Sequence, residues 1–210
     1  GRYLDAHGKV TTASKFKTGT EWSKERIEIH KAVFERLIAK FADIPCDHRA
    51  IFIGGESGVG KTHFRKTAKG LSGNYLISDA DLIRKELILE LMRRGEMPET
   101  DDRFEKYLGR DARPFELSGL FHLESQVVTA IFEAWAISGG KNIIFDNSLA
   151  NEEYVFSRLR ELHDQNYAVV GILMQGDPET TNARRVSRYV EESTSTNGLG
   201  GRPIPKDFAE

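Results

Sequence analysis

The sequence predicts an α/β protein with a mainly parallel sheet and helices on both faces. Three observations predict it. Short, nearly continuous apolar runs alternate with helical stretches, which is the pattern of strands buried on both faces. One run leads directly into a glycine-rich turn and a helix, and two others end on acidic residues.

The elements follow in order. Residues 1–20 are polar and aperiodic and read as a flexible N-terminal arm. In 21–44, Ile27, Phe34, Leu37, Ile38 and Phe41 fall at helical spacings, giving a leading helix packed on the core. Packing is the favoured reading of this helix; a built-in inhibitor beside the glycine-rich turn is the other. Residues 45–210 form the main domain. Its strands are 50–54 (AIFIG), 75–78 (YLIS), 142–146 (NIIFD) and 168–174 (AVVGILM). Its helices are 61–70, 81–94, 114–137, 152–165 and 178–192, with Pro114 and Pro178 at first turns and Gly139-Gly140 as a stop. ESTSTNGLGG after the last helix is a flexible loop.

Composition limits the function. The 210 residues are 39% hydrophobic and 10% aromatic, enough for a real core. A formal charge of −2 gives no reason to expect a nucleic-acid partner. A single cysteine, Cys46, excludes a disulfide framework and a cysteine-based metal site, and reads as an inert buried thiol. No apolar run approaches the roughly 18–20 residues of a membrane span. The first residues lack an apolar signal core, so a soluble, cytoplasmic protein is expected. The start at Gly1 rather than Met reads as a trimmed chain.

Gly55-Glu56-Ser57-Gly58-Val59-Gly60-Lys61-Thr62 fits G-x-x-x-x-G-K-[ST], after an apolar strand and at the opening of a helix. Glycines let backbone N–H groups turn inward around phosphate oxygens without Cβ clashes. Lys61 supplies a charge to the β/γ oxygens of ATP, Thr62 a hydroxyl for Mg²⁺, and His63 continues the segment. The fold expected is therefore a three-layer P-loop kinase fold. The chain has neither the N-K-x-D of GTPases nor the L-S-G-G-Q of ABC ATPases, which leaves small-molecule kinases.

Such kinases need an acid beside the acceptor hydroxyl and cations on the moving phosphoryl group. In YLISDADLIRK, Asp79 and Asp81 lie past a strand end, where α/β proteins place their ligands. One is expected to be a helix cap and one the base. Asp146, ending NIIFD, is the candidate metal-side carboxylate, with a structural turn residue as the alternative. Arg184 and Arg188 share a helix face, with Arg185 about 100° around it, and Arg202 follows the glycine-bearing loop.

Taken together, these segments resemble the zeta-toxin family of P-loop kinases, the toxic partners of epsilon/zeta-type toxin–antitoxin systems. The resemblance spans about Trp22 to Phe208. It rests on EWSKERIEIH, GGESGVGKT, ISDADLIRK, FHLES (121–125), ARRVSRY and GRPIPK. It implies Asp81 as catalytic base and Arg188 and Arg202 as ATP-contacting arginines acting with Lys61. It also implies Thr62 and Asp146 at Mg²⁺, and Asp81, Glu124, Asp146 and Ser148 toward the acceptor. It further implies phosphorylation of UDP-N-acetylglucosamine or a similar nucleotide-activated sugar, and a cognate antitoxin.

One stretch departs from the family. Where members read E-G-T or D-G-T, this chain has Asp146-Asn147-Ser148-Leu149-Ala150. The family's acidic residue on the preceding helix would fall near Ala130, flanked here by Glu124 and Glu133. Two rivals stay open: a nucleotide or polynucleotide kinase on the same core, and a non-catalytic ATP-binding switch.

Overall fold

The computed structural model describes residues 11–98, 112–147, 149, 151–195 and 199–200. The described elements run α1 (Ala13–Phe16), β1 (Lys17–Thr18), β2 (Glu21–Trp22), α2 (Lys24–Lys40), β3 (Arg49–Gly54), α3 (Lys61–Thr67) and β4 (Leu76–Ser78). Then come α4 (Ala80–Arg94), a 3₁₀ helix (Pro114–Phe121), α5 (His122–Ser138), β5 (Ile143–Asp146), α6 (Glu152–Asp164), β6 (Ala168–Leu173) and α7 (Pro178–Thr194). The chain divides into two compact units. One comprises Gly1–Glu35, Asp81–Val128 and Val186–Glu210, the other Arg36–Ala80 and Thr129–Arg185.

In the first unit, the stretch from Thr11 onward is tied down rather than loose. β1 and β2 form a two-stranded antiparallel hairpin. Thr12 is fully buried, its N–H donating to the Leu120 carbonyl at 2.8 Å. The buried face of α2 takes in part of the expected apolar stripe, Leu37 with Phe34 and Ile38 half-buried beside it, and adds polar residues. Arg26, Ile29, His30, Val33 and Leu37 are buried, while Ile27 is 40% exposed. Two polar residues sit on the inner face because each has a buried acidic partner, which a hydropathy count cannot see. The single helix expected over 114–137 is split: a 3₁₀ turn over PFELSGLF precedes the α-helix at His122. Gly119 weakens α-helical propensity there, and the Glu116 carboxylate accepts the Arg113 N–H at 2.7 Å.

In the second unit, the four main strands form one sheet in the order β4-β5-β3-β6, every neighbouring pair parallel. β3 lies inside the sheet and only its first residue is exposed, as a continuous apolar run requires. Ile51, Ile53 and Ile144 pack on one face against Phe64, Leu71, Tyr75, Ile172 and Met174. On the other, Phe52 and Phe145 stack at 4.5 Å between ring centroids. β6 differs from its sequence reading: among the described strands it lies at one edge of the sheet, with Val170 54% and Leu173 66% exposed. Cys46 is exposed as well, not the buried thiol expected. No described helix is long and apolar enough to cross a membrane.

Candidate nucleotide site

β3 delivers the chain into the glycine-rich loop, and the backbone there demands glycine. Gly55 and Gly58 have φ of 135° and 88°. A Cβ on Gly55 would stand 2.4 Å from the Met174 carbonyl oxygen, and one on Gly58 would stand 2.4 Å from that of Thr181. The loop is thus wedged between the end of β6 and the start of α7, and closes at Gly60, φ 104°, where α3 begins. Val59 is buried and anchors the loop, while Glu56, Thr62 and His63 are exposed and Ser57 is partly so.

Lys61 folds back over its own loop. Its ammonium donates to the Gly55 carbonyl at 2.5 Å and to that of Glu56 at 3.1 Å, with Asp146 Oδ1 4.0 Å away. Asp146 reaches this point because Ile53 and Asp146 are in register on paired parallel strands, so β5 ends beside the loop. Asp79 follows β4 on the far side of β5. Arg65, one helical turn beyond Lys61, joins the two acids: its Nε is 3.0 Å from Asp146 Oδ2 and its Nη2 is 3.8 Å from Asp79 Oδ2. The sequence reading passed over Arg65, although an i, i+4 spacing from Lys61 puts it on the same helix face.

The arginines of α7 divide. The Arg184 guanidinium lies beside Gly60, 4.0 Å from where a Cβ would be. Arg185 approaches the Glu56 carboxylate at 3.6 Å and donates from Nε to the Thr181 carbonyl at 3.4 Å. Arg188, the residue singled out from the sequence, stands one turn further along the helix at an exposed position. Arg202 and Ser148 lie outside the described residues. Asn147 turns the chain after β5, its side chain accepting the Leu149 N–H at 2.8 Å.

Asp81 sits in the first turn of α4, its carboxylate 3.3 Å from Arg84 Nη1 and partly open to solvent. In the same unit, burial and the nearby Arg84 charge both lower the pKa of His122.

The two glutamates that flank Ala130 on α5 behave in opposite ways. Glu124, expected toward the acceptor, is fully buried and taken up by protein groups. One oxygen faces Arg26 Nε and His30 Nε2, both at 2.8 Å; the other faces Arg26 Nη2 at 2.5 Å and Thr12 Oγ1 at 2.7 Å. That geometry corrects the substrate-contact expectation: a carboxylate held by four contacts from three residues is an anchor for α2 and the segment before it. Burial alone would raise its pKa, but the hydrogen bonds from His30 and Arg26 outweigh burial and hold it below the usual value. The EWSKERIEIH and FHLES segments thus meet through Arg26, His30 and Glu124.

Glu133 is also fully buried. It accepts hydrogen bonds from Ser78 Oγ at 2.5 Å and Tyr154 Oη at 2.6 Å, with Arg158 Nε 3.7 Å away. Here burial dominates and raises the pKa. Its bond to Ser78 fixes the end of β4, immediately before Asp79.

The described residues can therefore offer a phosphate a glycine cradle with Lys61, and a hard cation the oxygens of Thr62, Asp146 and Asp79. Among the described residues no cluster of three or more His, Cys, Asp or Glu forms a protein-only metal cage.

Comparison with known proteins bears on the fold and the family. Among solved structures, the chain is similar to the PezAT chromosomal toxin–antitoxin system of the human pathogen Streptococcus pneumoniae. That match has a TM-score of 0.59 at 21% identity, covering 81% of this chain and 65% of that one. It is also similar to the AvrRxo1-ORF1:-ORF2 complex with ATP, with a TM-score of 0.57 at 16% identity, covering 95% of this chain and 63% of that one. The chain thus spans less than two thirds of either relative. No curated protein sequence matches it. The family model described as Zeta toxin matches residues 45–210, and the chain belongs to the zeta-toxin family, with its α/β P-loop kinase fold.

Proposed function

We propose that the chain is an ATP- and Mg²⁺-dependent kinase. It transfers the γ-phosphate of ATP to a hydroxyl of a nucleotide-activated sugar resembling UDP-N-acetylglucosamine, and acts in the cytoplasm as the toxin of a toxin–antitoxin pair. The observation that carries this reading is the convergence of Lys61, at the base of the glycine loop, and Asp146, at the end of the neighbouring strand. Family membership supports the chemistry, and the ATP complex of AvrRxo1-ORF1:-ORF2 and the PezAT toxin–antitoxin system support the nucleotide and the protein partner.

In this reading the Lys61 ammonium exchanges the Gly55 and Glu56 carbonyls for β/γ-phosphate oxygens, which are stronger, charged acceptors. Backbone N–H groups of the loop from Gly55 to Lys61 complete the cradle. The Thr62 hydroxyl and the Asp146 carboxylate fit Mg²⁺, which at nucleotide sites takes one or two carboxylates and completes its shell with water and phosphate. Bound there, Mg²⁺ would neutralise phosphate charge. Asp81, at the second acid of ISDADLIRK, takes the proton of the acceptor hydroxyl. The oxygen bonds to the γ-phosphorus as the bond to the β–γ bridging oxygen breaks, and ADP leaves. Arg188 and Arg202 balance charge on the transferring group. Asp146 keeps the acid of the family's acceptor segment, while Asn147 replaces its glycine.

The test is a mass-spectrometric search for the gain of one phosphate. The protein is incubated with ATP and Mg²⁺ and a panel of UDP-sugars, nucleosides, dinucleotide cofactors and 5′-hydroxyl oligonucleotides. Phosphorylated UDP-sugar is expected. Product confined to nucleosides or oligonucleotides would replace the sugar-nucleotide acceptor and keep the kinase. Bound ATP with no product on any acceptor would leave a nucleotide-binding switch.

A further inference from the structure

Asp79 and Asp146 come out side by side. Ser78 and Phe145 are in register on paired strands β4 and β5, and the two acids are the next residues on each. Adjacent carboxylates repel, and their repulsion is strengthened where water is partly excluded. Arg65 answers it from α3. The guanidinium is largely buried and lies 3.0 Å from Asp146 Oδ2, 3.8 Å from Asp79 Oδ2 and 3.5 Å from Thr62 Oγ1. It therefore touches the same three side chains whose oxygens suit a divalent cation.

We infer that Arg65 is a positioning residue that holds Asp146 and Asp79 as a charge-compensated pair and makes divalent-cation capture depend on nucleotide. This deepens the kinase reading and rests on it. A cation approaching the bare site must draw Asp146 away from Arg65 and meets a second positive charge, Lys61, 4.0 Å from Asp146 Oδ1. Phosphate oxygens reverse that balance. They give Lys61 a better partner and supply the negative charge that lets Asp146 be shared with a metal. The cation then enters with ATP rather than before it. A lysine at position 65 could not do the same, since a single ammonium, without the planar guanidinium fork, does not span two carboxylates.

The experiment measures Mn²⁺ binding to the nucleotide-free protein by electron paramagnetic resonance, for wild type, Arg65→Gln and Arg65→Lys. Freeing the carboxylates should tighten Mn²⁺ binding about tenfold in Arg65→Gln, the effect of removing one adjacent positive charge, with Arg65→Lys in between. Arg65→Gln binding no tighter than wild type would overturn the inference. If that variant does not fold, Arg65→Lys decides alone: a severalfold gain supports it, and wild-type affinity overturns it. No ATP or acceptor is present, so the result is independent of whether the kinase reading holds. That reading is judged separately by ATP turnover of the wild type.

Discussion

The Lys61 ammonium donates to the Gly55 carbonyl at 2.5 Å, resting on the backbone of the loop whose phosphates it is expected to hold. A cation so placed needs only a short side-chain movement to meet a nucleotide. Lys61→Ala should bind ATP more weakly and lose about 10²–10³-fold or more in kcat, the cost of removing one preorganised charge from the transferring group. A coupled ADP-release assay measures it, and wild-type turnover by the variant would contradict the assignment.

The two acids after β4 should separate in kinetics. Asp81→Asn should leave ATP affinity nearly intact and lower kcat about 10²–10⁴-fold, as loss of a general base does. Asp79→Asn, which removes a partner of Arg65 on the metal side, should instead raise the Mg²⁺ concentration needed for half-maximal rate. The opposite pattern in a Mg²⁺-titrated rate assay would exchange the roles.

The loop glycines make a steric prediction. Gly58 has φ 88°, and a Cβ there would stand 2.4 Å from the Thr181 carbonyl oxygen. Gly70 has a similar φ of 85°, with nothing within 4 Å of a Cβ. Both alanine variants should lose about 1–2 kcal/mol to left-handed backbone strain. Only Gly58→Ala should also weaken ATP binding, by tenfold or more, since only it moves the cradle. Calorimetric titration with ATP and a thermal melt separate the two effects.

Glu124 and Glu133 predict opposite pH behaviour. Glu124 has a lowered pKa in the folded state, so its stabilisation is present above the ordinary value of 4.5 and is lost as pH falls through the lower folded value. Glu133 has a raised pKa, so its stabilisation is full below 4.5 and is lost as pH rises through the folded value. Glu124→Gln should therefore cost about 3–5 kcal/mol at neutral pH, because it strips a buried arginine of its charged partner. Glu133→Gln should match or exceed wild type there, with an advantage that shrinks toward acid pH. Urea unfolding at several pH values checks both.

The sequence made the glycine-rich loop between β3 and α3 legible because its information is local: glycine spacing encodes backbone angles, and an apolar strand before it fixes the context. The ends of β4 and β5 were legible for the same reason, as short apolar runs terminated by acids. What depended on partners distant in sequence was not. The inner face of α2 carries Arg26 and His30, whose burial depends on Glu124, about a hundred residues away in sequence. The resemblance places Glu124 toward the acceptor because it flanks Ala130, where the family's acidic residue would fall, and the sequence gives no sign of the protein donors around it. AVVGIL reads like RAIFIG, yet among the described strands β6 lies at one edge of the sheet and β3 inside it, and strand order is not written in either segment. Arg65 lies outside the glycine-loop pattern, and its role depends on Asp79 and Asp146, which come from two other strands.

The most direct measurement of the central claim is the fate of the γ-phosphate. Wild type and Lys61→Ala are incubated with γ-³²P-labelled ATP, Mg²⁺ and UDP-N-acetylglucosamine, and the nucleotides are separated. The account expects label on the sugar nucleotide with wild type and a loss of about 10²–10³-fold with the variant. Label that stays on ATP, or is released only as inorganic phosphate, while wild type demonstrably binds ATP, would contradict transfer to a sugar-nucleotide hydroxyl.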